Sequence, residues 1–437
     1  MAKNPTNGGD HAANGAGANG AGIDNMRMAA LQDSGGEELQ TGRYVITYKE
    51  GALESGTSSL QADGLRMADA RDFADQDISI ADLGDADAFV LPEIGVAVVS
   101  AAALQQSRVS AVEALAADSP IEAVEPEYFA FADNVATEYL RGFRRAVDVI
   151  VMDFEQLEDI EPDSDVEAEV LGATWGLARC KVPPSSRSGA GIRVAVLDTG
   201  MDLGHPDFTG RQFFAQTFVG QPVQDLHSHG THCIGTAAGP LAPPGVTPRY
   251  GIAYKAPIYP GKVLTNSGSG TTGSVLAGMN WAIANQCAVI SMSLGSASPV
   301  QAAYTAAGRA ALLRGCLIVA AAGNHAGPTG SPANSPTIMA VASLDPNLAP
   351  SSFSCFGKIE IAAPGRDVYS SVPRPTRYGV KSGTSMATPH VAGCAALWAQ
   401  THPNLRGQAL WNKLIATARP LPYPRTRVGA GLVQAPA

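Results

Sequence analysis

The chain has 437 residues, 45% of them hydrophobic and 16% charged, enough apolar material for a core larger than that of one small domain. Its formal net charge of −10 argues against a nucleic-acid partner, which needs a basic face. No stretch approaches the roughly 18 uninterrupted apolar residues of a membrane helix, so no membrane insertion is expected.

In chain order, residues 1–42 are rich in Gly, Ala and Asn with almost no large apolar side chains, the composition of a flexible tail. This stretch also lacks the apolar core of a secretory leader. Residues 43–133 read as a small α+β unit. Tyr44-Val45-Ile46-Thr47-Tyr48 alternates as a strand does, a second strand lies around Val96-Ala97-Val98-Val99, and 109–117 suits a helix. The unit closes on Ile121-Glu122-Ala123-Val124-Glu125-Pro126-Glu127-Tyr128-Phe129-Ala130-Phe131, whose end is suited to lie extended against a sheet edge. Residues 134–172 form an acidic linker. Within it 140–157 has an amphipathic pattern with Arg141, Arg144 and Arg145 near its start, whereas 155–169 is dense in carboxylates and reads as a solvated spacer.

Residues 173–437 alternate short apolar runs with small-residue helical runs, the pattern of a doubly wound, mostly parallel α/β sheet. Strands are expected at 192–197, 258–264, 288–294, 317–322, 338–343 and 359–362. Ends of strands and starts of helices are where such sheets bind ligands.

Three segments of this part carry chemistry. Arg193-Val194-Ala195-Val196-Leu197-Asp198-Thr199-Gly200 is a buried strand ending in a carboxylate and a glycine turn. His227-Ser228-His229-Gly230-Thr231-His232-Cys233 opens a small-residue helix with a histidine at its mouth. Gly383-Thr384-Ser385, followed by the apolar run 391–398, puts a hydroxyl at a helix N-terminus, where unpaired N–H groups favour an oxyanion. Singly, such an Asp is a turn former, such a His a loop residue and such a Ser a helix cap. Together, Asp198, His229 and Ser385 supply an orienting carboxylate, a general base and a nucleophile. His232 and His390 lie further into their helices and read as structural, and His227 as a loop residue near the cleft.

With these motifs in the order Asp, His, Ser, the chain resembles the subtilases, subtilisin-like serine endopeptidases, from about Thr174 to its C-terminus. Trp175-Gly176-Leu177 resembles the start of the mature enzyme. The resemblance implies that Asn324, in Ala322-Gly323-Asn324, donates to the oxyanion together with the backbone N–H of Ser385. It implies that Ser267-Gly268-Ser269-Gly270 and Ser293-Leu294-Gly295 hold substrate between them as an added strand, with Gly323 beside them. Residues 293–295, 322–324 and 330–333 would wall an open pocket for an apolar or aromatic side chain on the acyl side of the cut bond. Specificity would be broad. Residues 43–133 resemble the family's inhibitory propeptide, implying a self-processing zymogen whose own N-terminal unit plugs the cleft. Cleavage then falls either near 131–134 or near 172. Protein or peptide substrates and a monomeric enzyme are expected, secreted by family habit or, alternatively, intracellular. A peptide ligase of the same family would need an insertion shielding the acyl-enzyme, and no such insertion lies between the motifs. An inactive peptide-holding relative would not need Asp198, His229, Asn324 and Ser385 together.

No cofactor is required for this chemistry, but structural calcium is a family trait. Asp207, in His205-Pro206-Asp207-Phe208, matches a calcium position, although 239–251 contains no Asp, Asn or Glu to complete an oxygen cage. Glu360 matches a second, weaker cation position. The six cysteines show no CxxC or zinc spacing. Cys287, Cys316 and Cys394 read as buried thiols, and Cys233 sits as in thiol-bearing subtilases near proteinase K.

Overall fold

The computed structural model describes residues 40–73, 76–80, 85–106, 118–132 and 172–437. The tail before Gln40, the helix expected over 109–117 and nearly all of the acidic linker lie outside the described residues.

The N-terminal unit comprises β1 (Gln40–Tyr48), α1 (Leu53–Ala62), β2 (Met67–Asp69), β3 (Ala88–Leu91), β4 (Val96–Ser100), α2 (Ala101–Gln106) and β5 (Ile121–Phe131). The period-2 alternation of its strands serves two faces. Ile46, Tyr48, Val90, Ala97 and Val99 close over Leu60 of α1 to form the unit's own core. Val45, Phe89, Leu91, Val96 and Val98 face the other way and join the apolar core of the larger domain. Neither α1 nor β3 stood out in the sequence, because both are short and their apolar residues do not stripe strongly.

The larger domain contains α3 (Trp175–Arg179), β6 (Val194–Asp198), β7 (Gln216–Thr217), α4 (His229–Ala238), β8 (Ile258–Lys262), β9 (Ser269–Thr271), α5 (Thr272–Ala284), β10 (Val289–Met292), α6 (Ala302–Leu313), β11 (Leu317–Ala321), β12 (Met339–Leu344) and β13 (Ile361–Pro364). The hairpin β14 (Val368–Ser371) and β15 (Tyr378–Lys381), which the sequence did not announce, precedes α7 (Thr384–Thr401) and α8 (Gly407–Thr417). Seven strands run in the order β13-β12-β11-β10-β6-β8-β7, all pairs parallel. This is the doubly wound α/β sheet expected from the sequence. Each expected strand is present, displaced by a residue or two at its ends. Helices α4 and α7 are buried almost all round, which small side chains permit.

The two domains meet through β5. Its end pairs antiparallel with β9, joining Phe129 to Thr271, Ala130 to Gly270 and Phe131 to Ser269. Upstream on the same strand, two carboxylates cap two helices of the larger domain. Glu125 accepts from the N–H groups of Ala302 and Ala303 at the start of α6, at 3.0 and 3.3 Å. Glu127 accepts from Gly273 N–H at the start of α5, at 2.9 Å. Helix N-termini carry orphan donors and a partial positive charge, so each carboxylate satisfies both. The close approach at α5 requires glycine, since a Cβ on Gly273 would stand 2.5 Å from Glu127 Oε1.

Candidate active site

Asp198 ends β6, His229 opens α4 and Ser385 lies in the first turn of α7. All three are buried. His229 Nδ1 lies 2.8 Å from Asp198 Oδ1, which also accepts from Thr199 N–H at 2.7 Å. Ser385 Oγ lies 3.3 Å from the carbonyls of Ala132 and Ser293. Cys233 bridges the two helix starts, its sulfur 3.9 Å from His229 Nδ1 and 3.5 Å from the Ser385 carbonyl. Burial pushes that thiol's pKa up, so it is a neutral packing group and not a rival nucleophile.

The local sequence explains how Ser385 is held. Pro389, four residues on within α7, has no N–H to give the Ser385 carbonyl. That carbonyl accepts from Ser293 Oγ at 2.7 Å instead, which ties the helix start to the end of β10. Asn324 faces the same turn. Its Oδ1 accepts from Thr384 N–H at 2.8 Å and Thr384 Oγ1 at 2.9 Å, so its amide nitrogen lies on the Gly383 side. Gly323, with φ of +112°, has a Cβ position 2.9 Å from Cys355 Sγ, so a side chain there is excluded twice over.

Asp225, which the sequence reading passed over, clamps the histidine turn. Fully buried, it accepts from Thr199 Oγ1 at 3.0 Å, from His227 and Ser228 N–H at 2.9 Å, and from Thr231 N–H and Oγ1 at 2.9 and 2.7 Å. These bonds hold Ser228 at φ of +83°, a left-handed conformation costly for a side-chain residue. Thr199 Oγ1 accepts from Gly230 N–H at 2.9 Å, linking the turn to the strand that carries Asp198. The buried Lys262 donates to the Thr199 carbonyl and to Asn266 Oδ1, and burial lowers its pKa to about 8 despite Asp225 and Asp198 nearby. The available signal was the spacing Asp-Leu-His-Ser-His, an Asx turn leading into a helix.

The expected cleft segments behave differently from one another. Gly268 accepts from Ala132 N–H at 2.9 Å, and Gly295 exchanges two 3.0 Å bonds with Phe131. Ser269 and Gly270 pair through β9. Ser267 is turned onto its own loop, bonded to Thr265 and Ser269, and the Leu294 side chain points into the core. Gly295 and Gly330 line a narrow wall, with Cβ positions 2.5 Å from the Ser331 and Ser296 carbonyls. His227 rests against Gly268, its ring 6.2 Å from that of His229. His232 and His390 bond the carbonyls of Val368 and Met386, and burial lowers their pKa values to about 3 and about 4.

The two residues put forward for calcium each face hydrogen-bond donors. The Asp207 oxygens accept from the hydroxyls of Tyr250 at 2.6 Å and Tyr378 at 2.9 Å, in an aromatic setting with Tyr369 and His205. Glu360 Oε2 accepts from Ala340 N–H at 2.6 Å and pairs with Lys358 at 2.8 Å. Both carboxylates face donors where a calcium site would gather oxygens. The six cysteines are buried, and no disulfide joins them. Among the described residues no helix is long and apolar enough to cross a membrane.

The subtilase family model matches residues 189–431. An alkaline protease of Alkalihalobacillus alcalophilus is 41% identical over 298 residues, 67% of this chain and 76% of that protein. Subtilisin Savinase of Lederbergia lenta is 43% identical over 270 residues, 60% of this chain and 97% of that protein. The crystal structure of a cold-adapted subtilisin-like serine proteinase aligns with a TM-score of 0.55 at 33% identity, over 61% of this chain and 99% of its own. With this match lying over the strand, turn and helix starts that hold Asp198, His229 and Ser385, the chain belongs to the subtilase family and is a subtilisin-like serine endopeptidase.

Proposed function

We propose that Asp198, His229 and Ser385 are its catalytic triad and that the protein is a self-processing zymogen. In this reading residues 43–133 are an inhibitory domain, 134–172 a linker and 173–437 the catalytic domain. His229, its Nδ1 held by Asp198, takes the proton of Ser385 through Nε2 as Oγ attacks a peptide carbonyl. The Asn324 amide and Ser385 N–H receive the oxyanion, His229 returns the proton to the departing amine, and water releases the acyl group. The chain's own groups carry every step, without a cofactor.

The observation that supports this best is the strand 129–132. It lies between Gly268–Gly270 and Gly295 as an extended substrate would, and delivers the Ala132 carbonyl to within 3.3 Å of Ser385 Oγ. That position favours self-cleavage next to Ala132 over cleavage near Gly172. Small residues walling the neighbouring pocket favour apolar or aromatic side chains before the cut bond.

The test is to express the full chain beside Ser385→Ala and follow mass and N-terminal sequence. Wild type should lose its first segment while the variant stays whole. A fluorophosphonate should label wild type alone once the strand has left. Two intact chains and no labelling would remove the triad assignment.

A further inference from the structure

A second segment joins the two domains, about forty residues before β5 in the chain. β7 is the last strand of the seven-stranded sheet, and on its outer side lies the segment 76–80 of the N-terminal unit. Ile78 N–H donates to the Thr217 carbonyl and Ile80 N–H to the Phe218 carbonyl, both at 3.2 Å. Gly220 N–H returns a bond to the Ile78 carbonyl at 3.4 Å, so Ser79 and Val219 stand opposed as an antiparallel pair. Side chains extend the ladder at its other end. The Gln216 amide donates to the Gln76 carbonyl, and Thr217 N–H to Asp77 Oδ1 at 3.4 Å. Ile80 is 1% exposed within the catalytic domain's apolar core, and its carbonyl is gripped by Arg43, the residue that also pairs with Glu127.

We propose that the edge at 216–220 is a second strand-accepting surface whose occupant is this chain's own segment 76–80, and that this strap retains the N-terminal domain after the cleft strand has been cut. The proposal rests on the inhibitory reading of that domain. Cutting next to Ala132 frees the end of β5 from the chain that follows and leaves the strap untouched. A domain held by two strands rebinds one while the other stays attached, so its hold exceeds that of either strand by roughly 10²–10⁴-fold. Latency is then set by the strap and β5 letting go together, and the catalytic sheet gains an open edge only when they do.

Two full-length variants test this. Ile78→Pro removes the N–H that meets Thr217 and places a ring in the ladder. Gln216→Ala removes one bond from the catalytic side. The readouts are the lag before hydrolysis of a fluorogenic peptide and the co-elution of the N-terminal fragment with the catalytic fragment after cleavage. Ile78→Pro should shorten the lag about tenfold and Gln216→Ala about threefold, both losing co-elution and reaching the wild-type final rate. An unchanged lag and unchanged co-elution in both overturns the strap. Phe131→Pro, which breaks the pairing with Gly295, separates the readings. If it abolishes the lag and the strap variants do not, only the strap is wrong. If wild type shows no lag at all, the inhibitory reading has failed and takes the strap with it. Should Ile78→Pro fail to fold, Ser79→Cys with Val219→Cys decides the matter in one folded protein, because opposed antiparallel positions suit a disulfide. The oxidised form should stay latent and a reductant should release it, whereas equal lags in both states overturn the proposal.

Discussion

Removing Glu127 should loosen the N-terminal domain without touching the catalytic groups. The carboxylate is fully buried. Arg43 engages it through Nε at 2.7 Å and Nη2 at 2.9 Å, Thr41 donates at 2.5 Å, and Gly273 N–H donates from the α5 terminus. Deleting one partner of a buried pair costs ~3–5 kcal/mol, because the other charge is stranded. Arg43 is 19% exposed and recovers some water, which places Glu127→Ala near the low end, about 3 kcal/mol. At 1.4 kcal/mol per decade this is about a hundredfold in the docking equilibrium. The assay is hydrogen exchange in a Ser385→Ala background, which keeps the chain whole. The N–H groups of Phe131 and Ala132, bonded to Gly295 and Gly268, should exchange about a hundredfold faster, while amides pairing β10 with β11 keep their protection. Glu127→Gln, which retains an acceptor for Gly273 but not the charge, should fall between. A folded Glu127→Ala protein with unchanged protection at Phe131 would refute the reasoning, since the docking energy must then lie elsewhere.

Asp225→Asn should lower kcat by up to about 100-fold with KM little changed, because the turn carrying His229 loses acceptors and misplaces the base; a raised KM at constant kcat would contradict a positioning role. Asn324→Ala should cost about 100- to 1000-fold in kcat, as loss of one oxyanion donor does, and a loss below tenfold would count against it. His232 and His390 are held neutral down to about pH 3 and about pH 4, whereas an unfolded histidine takes its proton near about 6.5. In that window the unfolded chain binds more protons, so stability should fall as pH drops from about 6.5 toward 4. Denaturant unfolding of the Ser385→Ala chain measures it, with His390→Gln flattening part of the slope; a slope the variant leaves unaltered would be the wrong result. Because Asp207 is committed to two tyrosine hydroxyls, calcium should shift the Tm of Asp207→Asn and of the parent by equal amounts, and a shift lost in the variant would restore the cation reading.

What the sequence determined is local. Buried parallel strands read as continuous apolar runs, so β6, β8, β10, β11, β12 and β13 were legible, and with them the strand end bearing Asp198. The helix mouths at His229 and Ser385 were legible from glycine and small-residue runs, and family motifs carried Asn324 and the cleft glycines. Asp207 and Glu360 sit at family cation positions, but whether a carboxylate meets a cation or a hydroxyl depends on tyrosines and a lysine brought in from other segments. The same limit hid Asp225, whose importance lies in Thr199, 26 residues away, and Glu127, which reaches a helix 146 residues further on. It also hid the strap, where Ile78-Ser79-Ile80 alternates as a strand does but is too short to announce one, and whose pairing depends on the edge the catalytic sheet offers at 217–220. Side-chain periodicity records which face of an element is buried. It does not record what the buried face or the open edge will meet, and that was decided by the packing of two domains against each other.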